Sequence, residues 1–318
     1  MICRNCNSSN ILIAKNRGVI APFFLKRIYN LHISKLSEKI DLHFSGTKSF
    51  SKNLLYSIYK FLNNFFFFKK IFNIRSNINV DIVLCRNCLF ISTKKEYSFN
   101  ELENLYLDYR NDTYNNERVF YEPHYNEIKD LVGKNLKEIK NRQKNLDSIF
   151  IEENVNINRI NSVIDWGGNE GHFIPSELKK KNIYIFDPSI SKPIEENYTK
   201  INKRELLPNV DCLLVAHVLE HVGNPKKFLI DILNNLNKEG ILYLEVPEDK
   251  NLDEIEKMIN NPNNSKFEIH EHINIYNEKS LKLLCSDLGL ELIHCSRNEI
   301  DVGWDKNFKI ISALFKKI

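Results

Sequence analysis

The sequence has no run of about 18 uninterrupted apolar residues, and it opens directly on Cys3 without a charged leader and apolar core. Neither a membrane-spanning helix nor a secretory signal is expected, and the chain reads as cytoplasmic. An arginine-rich stripe is also missing: 45 Lys and Arg against 41 Asp and Glu leave a net charge of +4, with the positive residues scattered through Lys-, Asn- and Ile-rich sequence. Such a distribution does not demand a nucleic-acid partner. What is present is 318 residues with 42% hydrophobic content, enough for one large domain or two modest ones around a real core.

Seven cysteines in a reducing compartment are not expected to pair, so metal binding is considered first. Cys3-Arg-Asn-Cys6 and Cys85-Arg-Asn-Cys88 are identical knuckles separated by 78 residues. Each brings two thiolates to one side of a tight turn, and together they supply the four soft ligands of a tetrahedral, structural Zn2+ site. Apolar runs before Cys85 and after Cys88 place the second knuckle at the turn of a β-hairpin, as in zinc ribbons. A thiol redox pair is the rival reading, but it lacks the βαβ context such a pair uses.

Between the knuckles, Lys35 to Arg75 carries Leu54 to Leu62 and then Phe65 to Phe68 followed by Lys69 and Lys70. The apolar spacing fits one or two helices. Packing on the ribbon or on a sister subunit is the plainer use; peripheral contact with a membrane is the sharper one, because aromatic residues stand beside lysines.

The pattern from Ser98 to Glu153 is mostly helical, including a long charged stretch from Tyr125 to Asp147 with Ile128, Leu131, Leu136 and Ile139 on one face. Tyr106, Tyr109, Tyr114, Tyr121 and Tyr125 fall here and suit packing between domains. From Val163 onward strand and helix signals alternate, with a helix expected over Gly171 to Lys180 and strands at Ile183 to Phe186, Cys212 to Val215 and Gly240 to Val246. Such alternation builds an α/β, doubly wound, Rossmann-like and mostly parallel sheet. The expected division is a zinc-ribbon region with helical insert over 1–95, a helical connector or lid over 96–155, and a catalytic domain with an antiparallel last strand over 156–318.

In such a sheet the ligand sits beyond the C-terminal strand ends, and the first strand-to-helix turn must let a nucleoside approach the backbone. Gly167, Gly168 and Gly171 permit that approach, and Asp187, sixteen residues past Gly171, can accept from both ribose hydroxyls. A dinucleotide fingerprint would need glycine where Asn169 and His172 stand. The turn also opens with Asp165, an acid suited to a ligand carrying an ammonium and a sulfonium and poorly placed against a pyrophosphate.

These segments, with Val215 to Val222, Gly240 to Pro247 and His270 to Asn274, resemble class I S-adenosylmethionine-dependent methyltransferases. The likeness is to the branch with an N-terminal zinc ribbon found in sugar and surface-polysaccharide biosynthesis. The resemblance implies S-adenosyl-L-methionine as cofactor, lined by Asp165, Gly167, Gly168 and Gly171, with Asp187 on the ribose, Ala216 and His217 beside the transferable methyl, and adenine near Arg204 and Glu205. It implies a small, sugar-type acceptor, and a base drawn from His270, Glu271 and His272; a loop-fixing role for that segment is the alternative.

Ile269 stands where the sugar C-methyltransferases tend to have tyrosine, and the chain reaches Ile318 without their further C-terminal domain. Both departures weigh against C-methylation and raise O- or N-methylation. Two other readings use the same architecture: an NAD(P)-dependent sugar oxidoreductase or epimerase, which would need a Tyr-x-x-x-Lys pair not found after the fourth strand, and a non-catalytic zinc-ribbon scaffold, favoured by Asn169.

Overall fold

The computed structural model describes residues 1–29, 79–187, 189 and 191–318. The aromatic insert from Lys35 to Arg75, on which the expected helices and membrane contact fall, lies outside the described residues. The strands are β1 Ile11–Ile20, β2 Asn79–Cys85, β3 Ile91–Thr93, β4 Ser162–Trp166, β5 Asn182–Phe186, β6 Thr199–Ile201, β7 Val210–Ala216, β8 Leu236–Pro247, β9 Phe267–Ile269, β10 Asn274–Ile275, β11 Leu290–Ile300 and β12 Phe308–Lys317. The α-helices are α1 Pro22–Tyr29, α2 Phe99–Leu105, α3 Asp112–Tyr121, α4 Leu136–Glu152, α5 Pro225–Ile232, α6 Leu252–Asn260 and α7 Glu278–Cys285.

Seven strands form the main sheet in the order β11-β12-β8-β7-β4-β5-β6. Strands β6, β5, β4, β7 and β8 run parallel, and β12 inserts antiparallel to both β8 and β11. This is the Rossmann-like α/β arrangement with an antiparallel last strand. The apolar runs of β4, β7 and β8 follow from position, since central parallel strands are covered on both faces. The chain leaves β4 towards β5 and β6 on one side, then returns through β7 to the other, so a crevice opens at the C-terminal ends of β4 and β7.

The second sheet has the order β10-β3-β2-β1-β9. Its centre is the expected hairpin, β2 antiparallel to β3 with the Cys85–Cys88 knuckle between them. Its edges come from far along the chain: Phe267 to Ile269 pair parallel with Gly18 to Ile20, and Asn274 and Ile275 pair with Ser92 and Ile91. The loop 270–273 thus runs from one edge of the ribbon sheet to the other. One core joins Cys3, Cys85, Cys88 and Phe90 of the ribbon to β7, β8 and α7. A second packs α1 and the buried Tyr114, Tyr121 and Tyr125 against the ribbon sheet and α6.

Two expected helices come out differently. Gly171 to Lys180 forms no helix but successive turns, with Leu178 N–H donating to Pro175 C=O at 3.0 Å and Lys181 N–H to Leu178 C=O at 2.9 Å. Pro175 has no N–H to continue a helix from Gly171 and its ring would clash with the preceding turn. Tyr125 to Asp147 is α-helical only from Leu136, after a short 3-10 helix over Pro123–Glu127, because Gly133 adopts φ +71° and Asn135 caps the new helix. The buried face of α4 is then Glu138, Arg142, Leu146, Ile149 and Phe150, while Leu136 is exposed.

Candidate functional site

The glycine turn leaves β4 at Trp166 and is held open by its own stereochemistry. Gly167 and Gly171 have φ of +75° and +83°, conformations that L side chains rarely adopt. At Gly168 a Cβ would lie 2.1 Å from Asp165 Oδ2, so only glycine lets the carboxylate lie over the turn. Asp165 is buried and its Oδ2 has no hydrogen-bond partner. Burial, and then the nearby Asp187 carboxylate, push its pKa up to about 7, against the opposing pull of Arg142 and Lys200.

Asp187, at the end of β5, accepts from Asn169 N–H at 3.0 Å and from Ser189 N–H at 2.7 Å. Lys200 of β6 stands 3.9 Å from it and donates to Asn169 C=O at 2.9 Å and to Ser189 Oγ at 3.1 Å. Asn169 itself is left-handed, φ +52°, and its side-chain oxygen accepts from Ser189 and Ser191 hydroxyls. An asparagine tolerates this conformation where most residues do not, so it can stand at a position expected to hold glycine. Arg204 lies 5.6 Å from the Trp166 ring and 3.6 Å from Asp231.

Ala216 ends β7, and His217 follows with φ +55°, its N–H donating to Glu245 C=O at 2.8 Å. Its imidazole stacks on Phe308 and bridges two buried carboxylates, with Nδ1 3.3 Å from Glu220 Oε1 and Nε2 3.3 Å from Glu245 Oε1. Burial opposes its charge but those two acids outweigh it, and its pKa is raised. Glu245 also accepts from Arg142 Nε at 2.8 Å and from the Tyr243 hydroxyl at 2.6 Å. Burial would raise its pKa; Arg142 above all holds it down, at about 2. Arg142 and Glu245 escaped the sequence reading, although a lone acid inside the apolar run Gly240 to Val246 was a usable signal.

The segment 270–272 splits three ways. His270 is half exposed and faces Glu122 at 3.6 Å and Glu268 at 3.7 Å. Glu271 is part-buried in an ion pair with Arg118, which is also 3.3 Å from Glu122 and lies over the Tyr125 ring. His272 turns inward: its Nδ1 is 2.7 Å from Asp249 Oδ2 and its ring packs edge-on against His221, 4.9 Å between centroids. Asn274 donates to Leu219 C=O at 2.9 Å and to Val222 C=O at 2.6 Å, so this segment also fixes the loop after β7. The structure therefore brings His272 to Glu220 and His221 and leaves His270 beside Glu122 and Glu268. His172 and His294 pair with Glu170 and Glu153 elsewhere.

The four knuckle thiols converge, with every Sγ within 4.8 Å of the others and Cys3–Cys88 and Cys6–Cys85 both at 3.7 Å. A tetrahedron with Zn–S bonds of about 2.3 Å has S···S edges of about 3.8 Å. The knuckles are conformational copies: Asn7 N–H donates to Cys3 C=O at 3.0 Å and Leu89 N–H to Cys85 C=O at 2.9 Å, both donors left-handed. Each asparagine reaches across, Asn5 Nδ2 to Cys88 Sγ at 3.6 Å and Asn87 Nδ2 to Cys6 Sγ at 3.5 Å. The first knuckle also grips the loop after β7 and the first turn of α7, through Arg4 to Gly223 C=O at 2.7 Å and Asn5 to Ser280 C=O at 2.8 Å.

Two surface cavities, of about 490 and 450 Å³, lie outside the glycine turn, one beside Arg4 and Lys226 and the other between α4 and β11. Among the described residues no helix is long and apolar enough to cross a membrane.

A family model described as a methyltransferase domain matches residues 124–295, just over half of the chain. No curated protein matches. Among solved structures the chain is similar to the 1,6-didemethyltoxoflavin-N1-methyltransferase of Burkholderia thailandensis, with 13% identity, 72% of this chain and 95% of that chain covered, and a TM-score of 0.45. That protein was crystallised with 1,6-didemethyltoxoflavin and S-adenosylhomocysteine. It is also similar to magnesium protoporphyrin IX methyltransferase from Synechocystis, with 12% identity, coverage of 63% and 97%, and a TM-score of 0.43.

Proposed function

We propose, from the premise that this chain belongs to the methyltransferase-domain family and is an S-adenosylmethionine-dependent methyltransferase, that its acceptor is a nucleotide sugar or saccharide intermediate of surface-polysaccharide assembly, methylated on oxygen or carbon. The observation that carries the cofactor site is the unpartnered, buried Asp165 Oδ2 lying over a turn with no Cβ at Gly168. A carboxylate so placed takes the ammonium end of the cofactor, while Gly167 and Gly171 keep the backbone open. Asp187 would hold the ribose after giving up part of its contact with Lys200, and Ala216 and His217 would flank the methyl group.

The bound cofactor supplies an electrophilic methyl carbon on a sulfonium. What remains for the protein is alignment of the acceptor and disposal of its proton. We assign the acceptor side to His272, the member of 270–272 that faces the loop after β7. Glu271, through Arg118, positions that segment. The sugar-type acceptor rests on the sequence resemblance, reinforced by the ribbon's grip on this same loop. We take Cys3, Cys6, Cys85 and Cys88 to hold a structural Zn2+, since their spacing matches a thiolate tetrahedron.

Calorimetric titration with S-adenosylhomocysteine tests the cofactor. Mass spectrometry of candidate nucleotide sugars after incubation with labelled cofactor tests the acceptor. A gain of one methyl mass supports the reading, and cofactor binding with no sugar methylated across a broad panel removes the sugar assignment.

A further inference from the structure

Besides the four thiols, the described residues hold one other convergent ligand set: Glu220, His221 and His272, whose ligating atoms lie within 4.8 Å of one another. Glu220 is 1% exposed; its Oε1 faces the His217 imidazole at 3.3 Å, and its Oε2 has no hydrogen-bond partner. A buried carboxylate in that condition is costly unless a cation completes it. His221 Nε2 stands 3.8 Å from Glu220 Oε1. Two donors about 2.1 Å from a tetrahedral ion are about 3.4 Å apart, so a small inward rotation closes the set.

The outer contacts fit the same role. Nδ1 of His272 is committed to Asp249 at 2.7 Å, which leaves Nε2 to ligate. Nδ1 of His221 is 3.2 Å from Glu271 C=O and 2.7 Å from the Tyr106 hydroxyl, which likewise leaves Nε2. Imidazole ligands are typically oriented by a carboxylate or carbonyl on their other nitrogen. The backbone locks the two halves together, with Ile273 N–H donating to Glu220 C=O at 2.9 Å.

We infer that Glu220, His221 and His272 bind a divalent transition-metal ion through two imidazoles and one carboxylate, with open positions for an oxygen-bearing acceptor. Two nitrogens and one carboxylate suit ions of the zinc, iron and manganese group better than calcium or magnesium. The inference deepens the acceptor side of the methyltransferase reading and rests on it for the reaction. A hydroxyl coordinated there loses its proton to water; its oxygen lone pair forms the bond to the methyl carbon, and the broken sulfur–carbon bond leaves its pair on sulfur as a neutral thioether. The acceptor class is then an alcohol with a second oxygen in chelating reach, such as a vicinal diol or a hydroxy acid.

The test loads the full chain with Co2+ and counts metal by plasma mass spectrometry, with S-adenosylhomocysteine binding measured on the same sample. The expected result is two ions per chain, one with sulfur-to-cobalt charge-transfer absorption and one without. Glu220→Gln and His272→Ala should each remove only the ion lacking that absorption, His270→Ala should keep both, and Cys6→Ser should remove the other. Uptake of one ion per chain, or a second ion retained in both Glu220→Gln and His272→Ala, overturns the inference. Intact S-adenosylhomocysteine binding beside a single ion leaves the methyltransferase reading standing without it; two ions without that binding do the reverse.

Discussion

Asp165→Asn separates the two demands placed on one carboxylate. The group titrates near 7 in the fold and near 3.8 when unfolded, because burial and Asp187 disfavour its charge more than Arg142 and Lys200 favour it. For an acid whose folded pKa is raised, stability is complete below the unfolded value and is lost as pH climbs from there to the folded one. At 1.36 kcal/mol per unit the loss is about 4 kcal/mol by pH 7, and it is constant above. Asparagine cannot ionise, so the variant should gain on the wild type progressively between about pH 4 and pH 7 in urea unfolding. Cofactor binding should move the other way. Only the ionised form attracts the ligand's ammonium, so wild-type affinity for S-adenosylhomocysteine should be about tenfold weaker at pH 6 than at pH 8, with a proton taken off on binding at the lower pH. The variant should bind weakly and without that pH dependence. Equal wild-type affinity at both pH values, with the variant binding as tightly, would refute the assignment of Asp165 to the cofactor.

Gly168→Ala forces a Cβ into the space of Asp165 Oδ2, and calorimetry should show cofactor affinity falling while the melting temperature moves little. Arg142→Met leaves Glu245 buried without its guanidinium partner, which should cost on the order of 3–5 kcal/mol in denaturant unfolding. Cys6→Ser should lower the zinc content of the purified protein and, because Arg4 and Asn5 of the same knuckle hold Gly223 and Ser280, increase hydrogen exchange in the loop after β7 and in the first turn of α7. His272→Ala should abolish methyl transfer with cofactor binding retained, and His270→Ala should leave turnover within a few-fold; equal losses in both would remove the distinction between them.

Sequence alone determined whatever a local rule fixes. Paired knuckles with two thiols each, glycines immediately after a buried strand, and an acid at the end of the next strand are short-range patterns whose geometry follows from spacing, and they led to the sheet, the glycine turn and the thiol cluster. The mostly parallel direction of the main sheet followed from the alternation of strand and helix signals. Local rules failed where a neighbour distant in sequence set the outcome. On α4 the apolar face expected at Leu136 and Ile139 gave way to Glu138 and Arg142, because Glu245 on a strand about a hundred residues later makes burial of a guanidinium favourable.

The directions of residues 270–272 were decided by tertiary structure alone. Residues 270–272 are consecutive, and nothing in their order says which of them faces the chemistry. Their directions come from β9 pairing with β1 and β10 with β3, which stretches the loop across the ribbon sheet and sends His270 towards Glu122, Glu271 to Arg118 and His272 to Asp249 and His221. Edge pairing of this kind depends on backbone hydrogen bonds between segments some 180 to 250 residues apart, and backbone groups carry no sequence signature.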